Sequence, residues 1–410
     1  MALSHTVSRD VRFPRIRRFV AHVKNRNNRI LCFRRITCGF PHARAYWREL
    51  YSAGYVAVRC TIKGDAMTRP AWDSDTFSEY DEFNSILDAA STRLEVKTVS
   101  EVRAGARSFP LVTASIGSSD PQAPAIGFFA GVHGLERIGT QLVLEYMRAL
   151  LERLEWDDLL AAQLQSIRLI FFPIVNPGGM FLNTRANPNG VDLMRNAPQN
   201  AEGHVPFLAG GQRIGPWLPW YRGPVNSRME LESTALIDVV KSELMSRPLS
   251  FAVDCHSGFG WDDSIWFPYA RTDQQMMHLP EMYLLKTMFE RAYPHHGYAF
   301  EPQSHQYRLH GDLWDYAYDA TTPPNIFLPM TLELGSWRWI RKNPRQLFTR
   351  LGIFNPIKAH RTRRVLRRHV NFLEFVTRAA FASSRWLPHD DTRQRILECA
   401  SAHWQRPAAR

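Results

Sequence analysis

At 410 residues, 45% hydrophobic and 22% charged, the chain has the composition of an ordinary globular protein and is long enough for one large α/β domain with extensions, or for two domains. No stretch reaches the ~20 unbroken apolar residues that a membrane-spanning helix needs, which excludes a helical membrane protein. The formal net charge of +12 invites a nucleic-acid or anionic-membrane reading, but the charge is localised. Residues 1–70 hold 15 Lys/Arg against Asp10, Glu49 and Asp65 and account for the whole excess. The last 56 residues carry 12 basic and 4 acidic groups, so the block between them, with 24 basic and 32 acidic groups, is acidic.

The five cysteines, Cys32, Cys38, Cys60, Cys255 and Cys399, are too few and odd in number for a disulfide framework, which favours a reducing compartment and a cytoplasmic location. The N-terminus shows no apolar run followed by a small-residue cleavage site, so no secretory signal is visible. Residues 1–70 read as a basic extension, partly disordered, through which contact with nucleic acid or a membrane is conceivable but not expected. Their Arg-rich, acid-poor composition also resembles an organellar transit peptide. Residues 71–385 read as the catalytic domain and 386–410 as a basic tail.

Along the chain, Phe83, Ile86, Leu87, Ala90 and Leu94 recur at spacings of three and four and predict an opening helix. Ala125–Val132 is a short, almost wholly apolar run, as expected of a strand buried on both faces. Thr140–Leu154 carries an apolar stripe and predicts the helix that follows. A second buried strand is predicted over Ser166–Val175, halted by Asn176, Pro177, Gly178 and Gly179. A Pro- and Trp-rich loop then runs over Ile214–Pro224, before a helix over about Arg228–Met245 and a strand over Leu249–Asp254. Asn325–Gly335 is a further strand candidate in which Pro329 demotes the centre or marks a bulge. Val365–Phe381 predicts a closing helix. Strands alternating with helices predict a parallel or mixed sheet covered on both faces, with ligands bound beyond the strand ends.

Three strand ends carry polar groups. His133 and Glu136, in GVHGLE, follow the first buried strand, and an imidazole and a carboxylate three residues apart across a turn can converge on one cation; zinc takes such N and O ligands. The pair by itself arises by chance about once in a chain of this size. His256, in VDCHSG, follows the third strand; a lone His there is commonly a hydrogen-bonded structural residue. Glu333, in TLELG, closes an apolar strand, where a carboxylate is costly unless paired, hydrated or metal-linked; a salt bridge to Arg338 or Arg341 is the plain alternative. Together, two His and a Glu fill three positions on zinc and leave a fourth for a water whose proton Glu333 can take. Between these lies NTRANPNGVDLMRN. Arg185 and Arg195 bracket its turn and suit a substrate carboxylate or a developing oxyanion, and Asp192 is placed to accept from a ligand imidazole.

The order HxxE, RxNxxGVDLxRN, DxHS and TxELG, covering roughly residues 125–337, resembles the zinc metallocarboxypeptidases of the carboxypeptidase A-like type. The resemblance implies an α/β/α sandwich around a mixed, twisted sheet of about eight strands. It implies His133, Glu136 and His256 as zinc ligands and Glu333 as general base and acid. Arg185 would polarise the scissile carbonyl, Arg195 would bind the substrate carboxylate, and Asp192 would orient His133. The implied activity is hydrolysis of a C-terminal peptide bond.

Two positions depart from the family pattern. Met194 stands where the family has Asn before the carboxylate-binding Arg, removing an amide donor. The family's mobile tyrosine is matched by Tyr307, Tyr316 or Tyr318, of which Tyr307 is preferred because it precedes a Gly311-containing turn. Asp312 follows that glycine and, if near the pocket for the leaving side chain, would favour basic residues; otherwise it is a solvated loop aspartate. Two rival readings are a zinc-dependent amidohydrolase of N-acyl amino acids, of the aspartoacylase or succinylglutamate desuccinylase type, and a non-catalytic binding protein on the same fold. Among the remaining features, His295 and His296 read as a surface loop, Cys255 as core, and Trp217, Trp220 and Tyr221 as either a cleft rim or a loop anchor.

Overall fold

The computed structural model of the chain describes residues 77–405, and of the preceding segment only two short strands. Those strands, β1 (Ala21–Lys24) and β2 (Ile30–Phe33), pair antiparallel with Ala21 opposite Phe33. They belong to a unit of their own, residues 1–72; the reading of residues 1–70 as a partly disordered extension otherwise lies outside the described residues, as do Cys38 and Cys60.

The second unit begins with α1 (Ser78–Ala89), a hairpin of β3 (Glu95–Ala104) and β4 (Arg107–Gly117), then β5 (Ala125–Ala130) and α2 (Arg137–Arg153). Helix α3 (Asp158–Leu164), β6 (Arg168–Phe172) and α4 (Pro177–Leu182) follow. After a long loop come α5 (Leu231–Val239), β7 (Leu249–Ser257), β8 (Asp263–Phe267), α6 (Leu279–Ala292) and β9 (Tyr298–Pro302). The chain ends with α7 (Leu313–Asp319), β10 (Ile326–Leu334), α8 (Trp337–Lys342), α9 (Arg350–Phe354), α10 (Ala359–Phe381) and α11 (Asp390–His403).

Eight strands form one mixed sheet in the order β3-β4-β6-β5-β7-β10-β8-β9. Its centre, β6-β5-β7-β10, is parallel, while β4 and β8 join antiparallel. Every residue of β5, β6 and β7 is buried, which explains why these segments read as unbroken apolar runs. Successive side chains on β5 point to opposite faces. Phe128 meets Tyr146 of α2 at 5.1 Å between ring centroids, and Phe129 meets Trp314 of α7 at 5.3 Å. The sheet is therefore covered on both sides, and the α/β/α sandwich expected from the sequence is the fold.

The structure differs from the sequence reading at several places. The strand read over Ser166–Val175 spans only Arg168–Phe172, and the Asn176-Pro-Gly-Gly that follows it starts α4: the Asn176 side chain accepts from Gly179 N–H at 2.7 Å and Pro177 occupies the first turn, where its missing N–H has no intrahelical partner to lose. Pro329 interrupts neither the strand nor its register with β7. Because β8 engages only Thr331–Glu333, the strand at Pro329 has a side on which a missing N–H costs no ladder bond. Strand β7 runs three residues beyond Asp254, to Ser257. Finally, segment 386–410 contains α11, not a free tail. Trp404 is buried, its ring meets Phe267 at 4.9 Å, and its Nε1 donates to Phe300 O at 2.9 Å. Arg393 pairs with Glu281 of α6 at 2.8 Å. The folded domain thus extends to Trp404. Among the described residues no helix is long and apolar enough to cross a membrane.

Replacing Trp404 with Ala removes a buried aromatic and a hydrogen bond, and is expected to cost about 3–5 kcal/mol in denaturant unfolding, against nearly nothing for a detached tail. Burial beside Arg368 pushes the His369 imidazole down from 6.5 to about 3, where it accepts from Tyr298 Oη at 2.6 Å. The unfolded chain binds this proton below pH 6.5 and the folded protein does not until about pH 3, so this group's stabilisation is present at neutral pH and drains away between those limits. It contributes a slope of up to about 1.4 kcal/mol per pH unit. In His369→Gln the acid limb of a stability-versus-pH curve should flatten accordingly.

Candidate metal centre

The parallel register of β5, β7 and β10 brings their C-terminal ends together: Phe129 lies opposite Asp254, and His256 opposite Glu333. His133 and Glu136 occupy the turn between β5 and α2. That turn fits only because Gly134 lacks a side chain, since a Cβ there would lie 2.1 Å from the Gly179 carbonyl carbon, in the backbone of α4. Asn355 fixes the turn from the far end of the chain, donating to Leu135 O at 2.8 Å and accepting from Ile138 N–H at 2.9 Å.

Three donors converge. His133 Nδ1 lies 2.8 Å from Glu136 Oε1, His256 Nδ1 lies 2.9 Å from Glu136 Oε2, and the two Nδ1 atoms are 3.2 Å apart. Among the described residues these three side chains form the group able to hold a metal ion, with ligand atoms within 4.8 Å of one another. The outer nitrogen of each imidazole is held by a buried carboxylate: His133 Nε2 by Asp192 at 3.0 Å and His256 Nε2 by Asp254 at 2.7 Å. Such pairs fix the tautomer so that both Nδ1 lone pairs face inward, an N/N/O donor set that fits zinc with a position to spare. Burial opposes ionisation of Glu136, yet the His133 and His256 imidazoles outweigh it and hold its carboxyl well below the usual range.

Asp192 sits where the sequence places it, and it does more than orient His133. Its second oxygen accepts from Arg185 Nε at 2.9 Å and its first also caps Met194 N–H at 3.2 Å. Against the opposition of burial, Arg185 and His133 keep it ionised well below its ordinary value. Arg185 in turn bonds Glu136 Oε1 through Nη1 at 2.8 Å, and its Nη2 makes no hydrogen bond to the described residues. Asp254 was missed by the sequence reading. With hindsight the signal is the D-x-H spacing: residues two apart on a strand share a face, so the carboxylate of Asp254 lies beside His256 once β7 continues to Ser257. Trp314 Nε1 also donates to Asp254, at 2.9 Å. Cys255, between them, is buried in the core as expected, and burial pushes its thiol up.

Glu333 is buried, and neither Arg338 nor Arg341 pairs with it: Arg338 bonds Asp262 and Arg341 lies over the Trp261 ring. One oxygen accepts from Phe259 N–H at 2.9 Å. Burial and then the Glu136 carboxylate push its pKa up to about 8; a cation among the ligands acts in the opposite sense.

These groups open on a cavity of about 430 Å³ lined by His133, Glu136, Arg185, Met194, Arg195, His256, Tyr307, Asp312 and Glu333, with Trp220 also among its walls. Arg195 is buried; its Nη2 reaches Tyr307 Oη at 3.4 Å and Ala209 O at 3.3 Å. Its backbone is clamped by Gly311, which has φ of +71° and leaves only 2.2 Å between a would-be Cβ and Arg195 O. Arg222 was not foreseen: buried in the same loop, it donates to the carbonyls of Arg195, Ala197 and Gln199 and so fixes the Arg195 turn. Tyr307 is therefore the tyrosine beside the site. Tyr316 and Tyr318 lie on α7, where Tyr318 hydrogen-bonds His278. Asp312 is not a solvated loop residue. It lines the cavity, but its Oδ1 caps α7, accepting from Trp314 and Asp315 N–H at 2.8 and 2.9 Å. Trp220 faces the cleft, whereas Trp217 is 75% exposed. His295 is exposed and His296 accepts from Tyr298 N–H within its own loop.

Comparison with known proteins agrees with this geometry. The sequence model of the zinc carboxypeptidase family matches residues 91–339. Among curated proteins the chain is similar to carboxypeptidase D of Drosophila melanogaster, 32% identical over 96 residues, which is 21% of this chain and 7% of that protein. It is also similar to carboxypeptidase SOL1 of Arabidopsis thaliana, 32% identical over 75 residues, which is 18% of this chain and 15% of that protein. The chain thus matches only a small part of the length of these curated relatives. Among solved structures it shares the fold of carboxypeptidase A from Helicoverpa armigera, with a TM-score of 0.56 and 17% identity over 86% of this chain and 90% of that one. Bovine thrombin-activatable fibrinolysis inhibitor, in complex with tick carboxypeptidase inhibitor, gives 0.52 at 17% identity over 74% and 94%. With the family's model matched over more than half of the chain and its fold reproduced around the converging His133, Glu136 and His256, the chain belongs to the zinc carboxypeptidase family.

Proposed function

We propose that the protein is a zinc-dependent metallocarboxypeptidase that hydrolyses the C-terminal amide bond of a peptide. The observation that carries this reading is the joint geometry of the cavity: an inward-facing His/Glu/His donor set, a buried carboxylate beside it and two arginines share one space.

His133, Glu136 and His256 would hold the metal, with Asp192 and Asp254 fixing the imidazoles. When bound, zinc supplies a Lewis acid that acidifies water and polarises a carbonyl. Glu333 takes the proton of the attacking water and delivers it to the leaving amine; its walls exclude solvent and leave one oxygen free of the Phe259 N–H. The Arg185 guanidinium faces the negative charge that grows on the carbonyl oxygen as it becomes tetrahedral. Arg195, with Tyr307 Oη beside it, receives the terminal carboxylate of the substrate. Asp312, in the cavity wall, would favour a substrate with a basic side chain. Cys255 and Cys399 are free thiols, in keeping with a reducing, cytoplasmic setting.

Met194 supports a second reading. It lines the cavity next to Arg195 and offers no amide to a carboxylate, so an N-acyl amino acid is the alternative substrate. A panel of dipeptides ending in Lys, Arg, Phe or Leu, set beside N-acetyl and N-succinyl amino acids, separates the two. Turnover of the peptides alone is the expected result, and turnover of the N-acyl amino acids alone rejects the peptidase reading. Within the panel, preference for Lys or Arg ends is the outcome expected of Asp312.

Glu333→Gln is expected to keep stoichiometric zinc, read by elemental analysis, while kcat falls on the order of 10³-fold or more; a fully active variant would remove Glu333 from the mechanism. His133→Ala should instead lose the metal. Asp254→Asn should bind zinc about 10–100-fold more weakly in a chelator competition, with the ligands themselves intact.

A further inference from the structure

A second cavity, of about 380 Å³, lies between α8 and the first half of α10 and has Gly335 in its wall. It shares no lining residue with the catalytic cavity. Its size is within the range of small-molecule sites. Its charge is one-sided: Arg338, Lys342, Arg361, Arg364 and Arg368 line it, against the single carboxylate of Asp263.

The sequence sets this up by helical spacing. Arg361, Arg364 and Arg368 are three and four residues apart and so share one face of α10, while Arg338 and Lys342 are four apart on α8. Like charges so spaced repel weakly, and an anion between the two helices relieves that repulsion.

The local carboxylates satisfy only part of the set. Arg338 bonds Asp262, and Arg368 bonds Asp263 at 2.9 Å. Asp263 is further committed, accepting from Gly335 N–H at 3.0 Å. Lys342, Arg361 and Arg364 have no carboxylate partner among the described residues. Arg361 reaches only the Lys342 carbonyl, at 3.4 Å.

The 23-residue helix α10 adds a second, independent donor. Its first turn carries no acidic residue, its N-terminal flanking residue is Lys358, and no side chain caps it. The positive end of its dipole therefore stands uncompensated at the arginine cluster, the arrangement that receives phosphate.

We propose that this cavity binds a small phosphate-bearing anion with at least two phosphate groups. Guanidinium forks match phosphate oxygens in pairs, and after local pairing three cationic side chains remain to be neutralised, more than one phosphate supplies.

The test uses the full-length zinc-loaded protein at fixed ionic strength, with fructose 1,6-bisphosphate as the probe because it binds zinc weakly. Calorimetric titration should give saturable binding, and Tm should rise by roughly 3–5 °C at 100-fold excess over Kd. Arg361→Gln/Arg364→Gln should weaken binding at least 10-fold. Arg378→Gln, on the same helix but outside the cavity and paired with Glu374, should leave it unchanged. If the double variant does not fold by circular dichroism, Lys342→Gln/Arg364→Gln replaces it with the same expectation. No saturable binding, equal binding by the variants, or equal affinity for the tricarboxylate tricarballylate would each overturn the proposal.

Discussion

Everything at the metal centre depends on keeping four carboxylates ionisable inside protein. Glu136, Asp192, Asp254 and Glu333 are all buried, and an unpaired buried carboxylate is too costly to persist. Three of them are held by the two imidazoles and Arg185, in a chain that runs from Asp254 through His256, Glu136 and His133 to Asp192 and back through Arg185 to Glu136. Glu333 stands apart from this chain. It has a single backbone N–H for a partner, and burial together with the nearby Glu136 carboxylate raises its pKa to about 8. The contrast separates the carboxylates: the paired ones are held in a network of opposite charges, and Glu333 is not, which is the difference the proposed general-base role draws on.

The sheet makes that network rigid. His133, Glu136 and His256 come from the ends of β5 and β7 and Glu333 from the end of β10, three adjacent parallel strands. Register therefore fixes their separation, since moving His256 relative to Glu333 would require slipping β7 against β10 and reversing the faces of a fully buried strand. The arginines are positioned differently. Arg185 and Arg195 sit on the long connection between α4 and α5, held by side chains rather than by a ladder: Asp192 for the first, Arg222 and Gly311 for the second.

The two cavities illustrate opposite electrostatic economies. In the catalytic one, opposing charges alternate along a hydrogen-bonded chain. In the one between α8 and α10, like charges face each other across an open space. Their proximity in sequence is notable, because Gly335 in the wall of the second lies two residues beyond Glu333 at the rim of the first.

The sequence by itself determined the central strands and the helices with clear apolar stripes, and it singled out His133, Glu136 and His256, the three side chains that converge. Burial on both faces leaves an unmistakable apolar run in β5, β6 and β7, and a charged residue at the end of such a run has few explanations. It did not determine β3, whose alternating and largely exposed residues carry little hydrophobic signal, or the docking of α11, whose surface looks like a solvated helix until Trp404 finds Phe267. Nor did it decide partners. Whether Glu333 met Arg338 or the cavity, whether Asp312 was solvated or a cap, and which carboxylate held His256 are questions of distance between residues tens of positions apart. Only the register of β7 with β10 and the packing of α7 beneath them answer those, because side-chain pairing is set by where backbones cross in space, and composition and local spacing do not encode that crossing.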